Sequence, residues 1–449
     1  MKLGSSALAA LLSTVSTLAW AEPSPADFRT PEFLAQWGLG VIHADVAYAA
    51  GVDGTGVTIG IVDGGLDIEH SELAGRFEPG VETEQPWFID YDGHGTAVAA
   101  VAVANRDGVG MHGVAPGARV VMARHTDEDG FISDASVASA LNGMIDRGVR
   151  IINNSYGDVG YTALTMTPEQ FETDYPKYLS AARRAVDSGA LMIFITHNMA
   201  EDQPTPDGGL PHLFPELQRG WLAVTAVDSF HIADYANYCG VAMYWCLAAP
   251  GGGAMDPSGE IADPIISAWA GGGYGEFYGT SYAAPHVAGA AALVSQMFPY
   301  MDAQQVGQVL LGTATDYGDP GVDPIWGYGL LNVGKAVMGP GRFDWGDFQA
   351  NVTEGTSYWR NDIAGEGGLI KTGDGLLVLK GFNTYAGGTQ VVEGRPCARR
   401  RSHLARAGRI LRRPDGRGAD RWEPRQRRHD DPGRRPTAGP IRDHWRLPS

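Results

Sequence analysis

Three residues scattered along the chain carry side chains that together can perform nucleophilic catalysis. Ser281 lies in GTSYAAPHVAGAA, where a glycine and a small hydroxyl lead into an Ala-rich helix pattern. His94 lies in DGHGTAVAAVA and Asp63 ends the apolar run VTIGIVD, so the three residues are 31 and 187 positions apart. A hydroxyl is a weak nucleophile unless an imidazole accepts its proton and a carboxylate orients that imidazole. These side chains can therefore act together only if the fold brings them to one place.

The stretch around Ser281 also has a purely structural interpretation. Residues 279–297 form the pattern of a buried helix, and a Ser at the start of a helix meets N–H groups that have no intrahelical partner. The same position favours an attacking Ser, because the helix dipole stabilises negative charge that develops beside it. His286, five residues further on, is expected to point into packing.

Alternating apolar and amphipathic segments predict the fold that must position these residues. The pattern is typical of an α/β domain with a mostly parallel sheet flanked by helices. Strands are predicted at 57–62, 118–123, 149–153, 190–196 and 221–227, and helices at 36–50, 96–103, 133–147, 176–188 and 279–297. Ligand sites in such sheets lie at the carboxyl ends of the strands, where we expect Asp63, Ser155 and Asn198.

Composition and charge limit the classes of function. The chain has 449 residues, 44% of them hydrophobic, and a formal net charge of -18, which argues against a nucleic-acid partner for the folded part. Residues 395–449 differ, with 17 Arg against six acidic residues and almost no apolar periodicity, so we expect this tail to be disordered. A basic arm that binds nucleic acid is the alternative for the tail.

The first 21 residues have the pattern of a secretory signal peptide. One Lys precedes an apolar stretch that ends in Ala19-Trp20-Ala21, a small-x-small cleavage site. No later run is long enough to span a bilayer as a helix. In an exported chain, Cys239 and Cys246 in YCGVAMYWC are expected to form a disulfide; two buried thiols are the alternative, and a metal site is disfavoured.

The three catalytic motifs together resemble those of subtilisin-like serine proteases of the S8 family. These proteases have an Asp after an apolar strand, an HGT helix start and GTS-x-AAPHVAG around the nucleophile, and the likeness covers roughly residues 36–338. It implies that Ser281 is the nucleophile, His94 the general base and then acid, and Asp63 the orienting carboxylate.

The same resemblance assigns roles near the substrate. Asn198, in LMIFITHNMA, corresponds to the Asn whose side-chain amide supports the oxyanion. The segment Ser155, Tyr156 and Gly157 corresponds to the one that pairs with the substrate backbone and walls the primary pocket.

The chain also departs from the family pattern at several positions near the site. Gly64 replaces a usual Ser or Thr, His197 a usual Gly, Tyr282 a usual Met, and Ala97 a frequent second His. None of these changes removes a catalytic atom, but they leave the shape of the pocket and the oxyanion site open.

The resemblance implies no required cofactor, although relatives often bind calcium in the region that corresponds to residues 105–113. Asn105 and Asp107 in NRDGVGMHG could offer oxygen ligands. Calcium prefers six to eight oxygens, so one carboxylate is a poor site, and we assign no metal ligand here.

The glycine-rich segment at 365–394 resembles the passenger-associated repeat of bacterial autotransporters. In those proteins a secreted subtilase precedes a β-helical stem and an outer-membrane barrel. The segment predicts about one rung of stacked β-structure, and no barrel pattern follows it. We interpret the Arg-rich text from Arg395 as a truncated or frame-shifted C-terminus. The signal-peptide pattern and the resemblance to autotransporters imply export to the periplasm, cell surface or medium of a Gram-negative-type bacterium, with an outer-membrane link only through a barrel.

The sequence therefore predicts five segments and one leading function. The segments are a signal peptide at 1–21, a linker at 22–35, a peptidase domain at 36–340, a β-rich stem at 341–394 and the Arg-rich tail at 395–449. The leading function is an exported serine endopeptidase that hydrolyses peptide bonds of protein or peptide substrates through an acyl-enzyme. The alternatives are a non-catalytic surface or adhesion passenger with the same fold, and a degraded gene remnant.

Overall fold

A parallel sheet of six strands organises the structure, a computed structural model that describes residues 23–127, 129–229 and 231–394 and the backbone of three short strands beyond them. The strands lie in the order β2-β1-β3-β4-β5-β6 and every neighbouring pair is parallel. The strands of this sheet are β1 (Thr58–Asp63), β2 (Arg119–Arg124), β3 (Ile151–Asn154), β4 (Leu191–Ile195), β5 (Trp221–Val227) and β6 (Cys246–Pro250). A separate antiparallel hairpin joins β7 (Ile265–Ala268) to β8 (Tyr274–Phe277).

Helices cover the sheet, as the predicted α/β class requires. The α-helices are α1 (Pro31–Ala35), α2 (Trp37–Val41), α3 (Ala44–Ala49), α4 (His94–Val103), α5 (Asp134–Asp146), α6 (Pro168–Asp174), α7 (Pro176–Asp187), α8 (Leu210–Leu213), α9 (Thr280–Met297), α10 (Ala303–Thr313) and α11 (Val333–Ala336). Short 3-10 helices occur at Pro25–Phe28, Ser71–Leu73, Pro215–Gly220 and Gly240–Trp245.

The long helix α9 forms the centre of the domain. Every residue from Thr280 to Val294 is buried, and the helix packs against α4 and against strands β3 to β6. This burial explains why the helix is rich in Ala, since small side chains allow close packing on all sides. The hydroxyl at its first turn is therefore held on a rigid element.

The predicted helix at 36–50 is wrong as a single element. The chain forms three short helices there, because Gln36 and His43 leave the helical region of backbone angles. His43 has φ of 59°, a left-handed conformation that an amphipathic pattern does not reveal. The other strands and helices named from the sequence are present, with bounds shifted by one or two residues.

The C-terminal part of the described chain is a parallel β-coil. Strands β9 (Phe348–Asn351), β11 (Leu369–Thr372) and β13 (Thr389–Val391) stack in parallel, and β10 (Thr356–Trp359) stacks on β12 (Leu376–Leu379). The coil begins before the predicted repeat and contains more than the one rung expected. It packs directly on the peptidase domain, where Trp359 donates a hydrogen bond of 2.8 Å to the hydroxyl of Tyr300.

All of the predicted signal peptide and most of the predicted tail lie outside the described residues. Within 395–449 the structure describes only the backbone of three short strands, β14 (Ala398–Arg399), β15 (Arg409–Arg412) and β16 (Asp420–Glu423). The disorder expected for the rest of this tail, and the signal peptide expected at 1–21, therefore remain predictions.

Candidate active site

The carboxyl ends of three neighbouring strands bring the predicted polar residues to one edge of the sheet. Asp63 is the last residue of β1, Ser155 directly follows β3, and Asn198 follows β4 by three residues. Because β1 pairs with β3 and β3 with β4, these three positions are adjacent. The start of α9, with Ser281, meets the same edge, since the Ser155 hydroxyl donates to the Ser281 carbonyl oxygen at 2.9 Å.

His94 and Asp63 form a hydrogen-bonded pair. The distance from His94 Nδ1 to Asp63 Oδ1 is 2.8 Å, and the same carboxylate oxygen accepts from the backbone N–H of Gly64 at 2.7 Å. Asp63 is 3% exposed and its second oxygen is buried without a hydrogen-bond partner among the described residues. The contact through Nδ1 leaves Nε2 as the imidazole nitrogen that can accept a proton.

Two acidic residues before His94 shape this pair, and the sequence analysis did not identify them as part of the site. Asp90 accepts from the backbone N–H of Gly93 and from Thr96, so it caps the first turn of α4. Asp92 accepts from the backbone N–H of His94 at 3.0 Å. Their position in DYDGHGT is the signal that could have revealed them, since carboxylates stabilise a helix N-terminus.

These carboxylates change the protonation of His94. Burial lowers the pKa of His94, but the Asp63 carboxylate, followed by Asp92 and Asp90, raises the pKa by more, to about 9. The pKa of Asp90 is itself raised to about 6, first by burial. A neutral, base-competent imidazole is therefore favoured by alkaline conditions.

Ser281 is the second residue of α9 and is 8% exposed. Its hydroxyl donates to the carbonyl oxygen of Ser155 at 3.4 Å; in the described part of the chain it makes no hydrogen bond to His94. The imidazole is nevertheless close, because its ring centroid lies 5.9 Å from that of Tyr282, the next residue of the helix. In the described residues, a hydrogen bond therefore joins Asp63 to His94, but none joins His94 to Ser281.

Asn198 lies against the start of α9, beside Gly279 and Thr280. Its Oδ1 accepts from both the backbone N–H and the hydroxyl of Thr280, each at 2.8 Å, which fixes the amide. The Nδ2 group of Asn198 makes no hydrogen bond with any of the described residues, so it can donate to a bound substrate.

The Asn198 amide and the backbone nitrogen of Ser281 lie close to one point next to Gly279. A Cβ atom placed on Gly279 would lie 3.5 Å from Asn198 Nδ2, 3.8 Å from Asn198 Oδ1 and 3.8 Å from the backbone nitrogen of Ser281. That nitrogen is in the first turn of α9, where no intrahelical acceptor exists. Gly279 has φ of 142°, which favours glycine, so the backbone keeps this point free of a side chain.

His197, one of the departures from the family pattern, supports Asn198 through its own ring. Its Nδ1 accepts from the backbone N–H of Asn198 at 2.8 Å, so the ring is neutral at that nitrogen. Burial lowers the pKa of His197, in agreement with this role. Its φ of 95° is unusual for a residue with a side chain and explains why glycine is the usual choice at this position.

The segment Ser155, Tyr156 and Gly157 directly follows β3. Tyr156 is buried, donates to Asn154 at 3.2 Å and packs against His125, with ring centroids 4.3 Å apart and the ring planes tilted by 43°. His125 in turn contacts the backbone oxygen of Asp63 at 3.0 Å. The segment is therefore packed against the strand that carries the carboxylate.

The remaining predicted features are placed as follows. Cys239 and Cys246 form a disulfide across the 3-10 helix between them, as predicted. His286 is 4% exposed and bonds the carbonyl oxygen of Tyr282 through Nδ1 at 2.7 Å, so it is a packing residue.

The residues suggested for calcium do not fit that ion. Asn105 Oδ1 accepts from the Arg76 guanidinium at 2.7 Å, and Asp107 Oδ1 accepts from the backbone N–H of Val109 at 3.0 Å. The nearby positive charge opposes a cation. Among the described residues there is also no group of three or more His, Cys, Asp or Glu side chains with the arrangement of a metal site.

Within the described residues, none of the helices combines the length and the apolar character that a membrane crossing requires.

Comparison with known families decides the classification. A model described as the Subtilase family matches residues 54–329, which is more than half of the chain. The chain belongs to the subtilase family. A second model, the passenger-associated-transport-repeat, matches residues 369–395, so the predicted likeness of 365–394 to this repeat is also confirmed.

Individual relatives agree with this classification. The chain is 31% identical to an extracellular serine protease of Serratia marcescens, over 83% of this chain and 43% of that protein. It is 31% identical to the Neisserial autotransporter lipoprotein NalP of Neisseria meningitidis, over 79% of this chain and 39% of that protein. This subtilase therefore spans less than half the length of these relatives.

A solved structure shows the same fold. Fervidolysin from Fervidobacterium pennivorans, a keratinolytic enzyme related to subtilisin, aligns with a TM-score of 0.57 and 26% identity, over 70% of this chain and 47% of that chain. The predicted α/β, mostly parallel sheet of a subtilisin-like domain is confirmed.

Proposed function

We propose that this subtilase is an exported serine endopeptidase that cleaves peptide bonds of protein or peptide substrates through an acyl-enzyme on Ser281. The observation that supports the proposal is the proximity of two donor nitrogens, Nδ2 of Asn198 and the backbone nitrogen of Ser281, to one point beside Gly279. Such donors stabilise the negative charge of a tetrahedral intermediate, and loss of one typically costs about 10² to 10³ in rate. A capped structural helix needs no second donor at this point.

In this mechanism the Ser281 hydroxyl turns from the Ser155 carbonyl to Nε2 of His94 as the substrate binds. His94 takes the proton while Oγ attacks the scissile carbonyl carbon, and the carbonyl oxygen becomes an oxyanion between Asn198 and the backbone N–H of Ser281. Asp63 holds the tautomer and stabilises the imidazolium. His94 then returns the proton to the leaving amine.

The acyl-enzyme is hydrolysed by the reverse use of the same groups. A water molecule replaces the amine, His94 accepts its proton, and the oxygen attacks the acyl carbon. Collapse of the second tetrahedral intermediate releases the acid and returns the proton to Ser281. No step requires a metal or an organic cofactor. We therefore expect EDTA to leave the rate of peptide hydrolysis unchanged. Any calcium ion that this protein binds should change only its melting temperature, which can be measured with and without EDTA.

A turnover assay tests the proposal. We expect the purified protein to hydrolyse casein or a mixed peptide library, and Ser281→Ala or His94→Ala to lower the rate by about 10⁴ or more. Ser295→Ala is the matched control, because it makes the same change far along α9. Equal hydrolysis by wild type and Ser281→Ala would refute the assignment.

A non-catalytic passenger is the second candidate, because the Ser281 hydroxyl bonds Ser155 and not His94. The same assay distinguishes the two functions. A correctly folded protein that hydrolyses no library peptide and binds no active-site probe would favour the second candidate.

Export is part of the proposal and is tested separately. The signal-peptide pattern at 1–21 and the names of the extracellular and autotransporter relatives support it. Cell fractionation with a tagged chain is expected to find the protein outside the cytoplasm, with residues 1–21 removed. A full-length cytoplasmic protein would contradict this part.

A further inference from the structure

A cavity of about 450 Å³ lies next to the segment that we propose contacts the substrate. Tyr156, Gly157 and Asp158 form one wall, and Phe131 with Ile132 forms a rim that is exposed to solvent. This volume lies within the range of sites that hold small molecules or side chains. The cavity starts one residue after Ser155, which accepts from the Ser281 hydroxyl.

The charged side chains that line this cavity are all acidic. Four carboxylates contribute to it and no Lys, Arg or His does; the four are Asp134, Asp158, Asp174 and Asp207. Among the described residues, none of the four forms an ion pair with a cationic side chain. The cavity therefore has an electrostatic preference for positive charge and disfavours an acidic ligand.

Hydrogen bonds within the protein account for Asp134 and Asp158 but leave the charge of Asp207 without a counter-ion among the described residues. Asp134 accepts from the first N–H groups of α7, and Asp158 accepts from Gly160 N–H and the Tyr175 hydroxyl. Asp207 is 6% exposed; its carboxylate accepts from the backbone N–H of Asp158 at 2.8 Å and lies beside the Tyr178 hydroxyl. A buried carboxylate without a cationic partner is costly unless a counter-ion joins it.

A second buried polar group at this cavity interacts with the same acid. The Tyr178 hydroxyl is inaccessible to solvent and lies beside the Asp207 carboxylate. Burial, and then the nearby Asp207 carboxylate, raises the pKa of Tyr178 well above its ordinary value. The hydroxyl therefore stays protonated beside Asp207, where a ligand could use both groups.

The carboxylate of Asp207 lies directly against the substrate segment. A Cβ atom on Gly157 would be 3.3 Å from Asp207 Oδ2, so only the absence of a side chain at 157 separates the segment from this acid. The aromatic rings of Tyr156, Phe171 and Tyr175 surround the same space. Such rings pack well against the alkyl part of a long side chain and attract a cation over their faces.

We propose that this cavity is a specificity pocket that takes an arginine or lysine side chain of the substrate, with Asp207 as its counter-ion. The proposal rests on the proposed endopeptidase function and adds a substrate class to it. Apolar side chains of similar length fit the volume but leave Asp207 unpaired, and acidic side chains meet four carboxylates. The substrates are therefore basic peptides or proteins.

Paired peptides test the pocket in the full chain. A mixed library first locates the position at which wild type selects a side chain. Fluorogenic peptides then carry arginine or its neutral isostere citrulline at that position. Wild type is expected to favour arginine by roughly tenfold or more in kcat/KM, because removing one partner of a buried charge pair weakens binding strongly.

The variant Asp207→Asn should lower this preference, measured as the ratio of kcat/KM for the two peptides, to near unity, because arginine then has no counter-ion. Asp146→Asn, the same change on the exposed surface of α5, should leave the preference intact and serves as the control. Equal cleavage of both peptides by wild type, or an unchanged preference in Asp207→Asn, would overturn the pocket and leave the endopeptidase in place.

The library profile of wild type decides the question even if Asp207→Asn does not fold. Cleavage without enrichment of basic residues overturns the pocket alone. No cleavage, together with no labelling by a serine-reactive probe, overturns the endopeptidase function and the pocket with it.

Discussion

The substitution Asp92→Asn removes one negative charge next to His94 and retains an oxygen that can accept from the backbone N–H of His94. Three carboxylates, led by Asp63, raise the pKa of His94 to about 9 against the opposing effect of burial. Since a general base must be neutral, Ser281 should become reactive only as the pH rises through the pKa of His94. We therefore expect an alkaline activity profile in the wild type and a lower midpoint in Asp92→Asn.

The size of this effect follows from exposure. A pKa of 9 in place of 6.5 corresponds to about 3 kcal/mol, but the His94 side chain is 32% exposed, so screening by water reduces this to about 1–2 kcal/mol. The wild-type midpoint should thus lie clearly above 6.5 and towards 9. Asp92 is itself exposed, so its removal should lower the midpoint by about half a pH unit, or about 0.7 kcal/mol.

The assay is the rate of labelling by a fluorophosphonate probe between about pH 5.5 and 10.5, which requires no knowledge of the natural substrate. Asp146→Asn is the control, since it removes a charge from a distant surface and should leave the midpoint unchanged. A wild-type midpoint at or below 6.5, or no change in Asp92→Asn, would refute the proposed electrostatics of the pair.

The same pair predicts a pH dependence of stability. The pKa of His94 is raised in the folded state, so its stabilising effect is complete below the unfolded value of 6.5 and is lost as the pH rises through about 9. The difference in melting temperature between wild type and His94→Ala should therefore shrink from pH 6 to pH 10. A constant or growing difference would contradict this linkage.

Three further substitutions test the rest of the site and its support. Asn198→Ala should lower kcat by about 10² to 10³ with little change in KM, because its amide acts on the oxyanion alone; a pure KM effect in steady-state kinetics would contradict this role. Gly279→Ala should lower turnover strongly, because φ of 142° is unfavourable for Ala and the new methyl group would occupy the space 3.5 Å from Asn198 Nδ2; hydrolysis at the wild-type rate would show that the oxyanion lies elsewhere. Cys239→Ser combined with Cys246→Ser should lower the free energy of unfolding by about 2–3 kcal/mol, from the entropy of closing a short loop; denaturant unfolding measures this, and an unchanged midpoint would contradict it.

Much of the fold could be predicted from local patterns. Continuous apolar runs such as the one at β1 identify strands that are buried on both faces, and small residues identify α9 as a buried helix. The same patterns were insufficient where the backbone leaves its usual regions, as at His43. They also missed β6 (Cys246–Pro250), whose sequence CLAAP has no β-branched or aromatic residue. Local sequence does not specify a single left-handed residue unless it is glycine.

The site was predictable as a set of residues but not as a geometry. The resemblance of three motifs to those of subtilisin-like proteases selected Asp63, His94 and Ser281, and the strand pattern placed Asp63 at the carboxyl edge of the sheet. Neither could reveal that Asp90 accepts from Thr96 and Asp92 from the His94 N–H, that His197 accepts from the Asn198 N–H, or that the Ser281 hydroxyl donates to Ser155. Those facts depend on loop conformation and on contacts between distant segments.

The most direct test of the central claim is the site of covalent modification by a fluorophosphonate probe, determined by intact mass and peptide mapping. We predict one adduct per chain, on Ser281, that forms in the wild type and is lost in His94→Ala. An adduct on another residue, or equal labelling of Ser281 with and without His94, would contradict a nucleophile that depends on this imidazole.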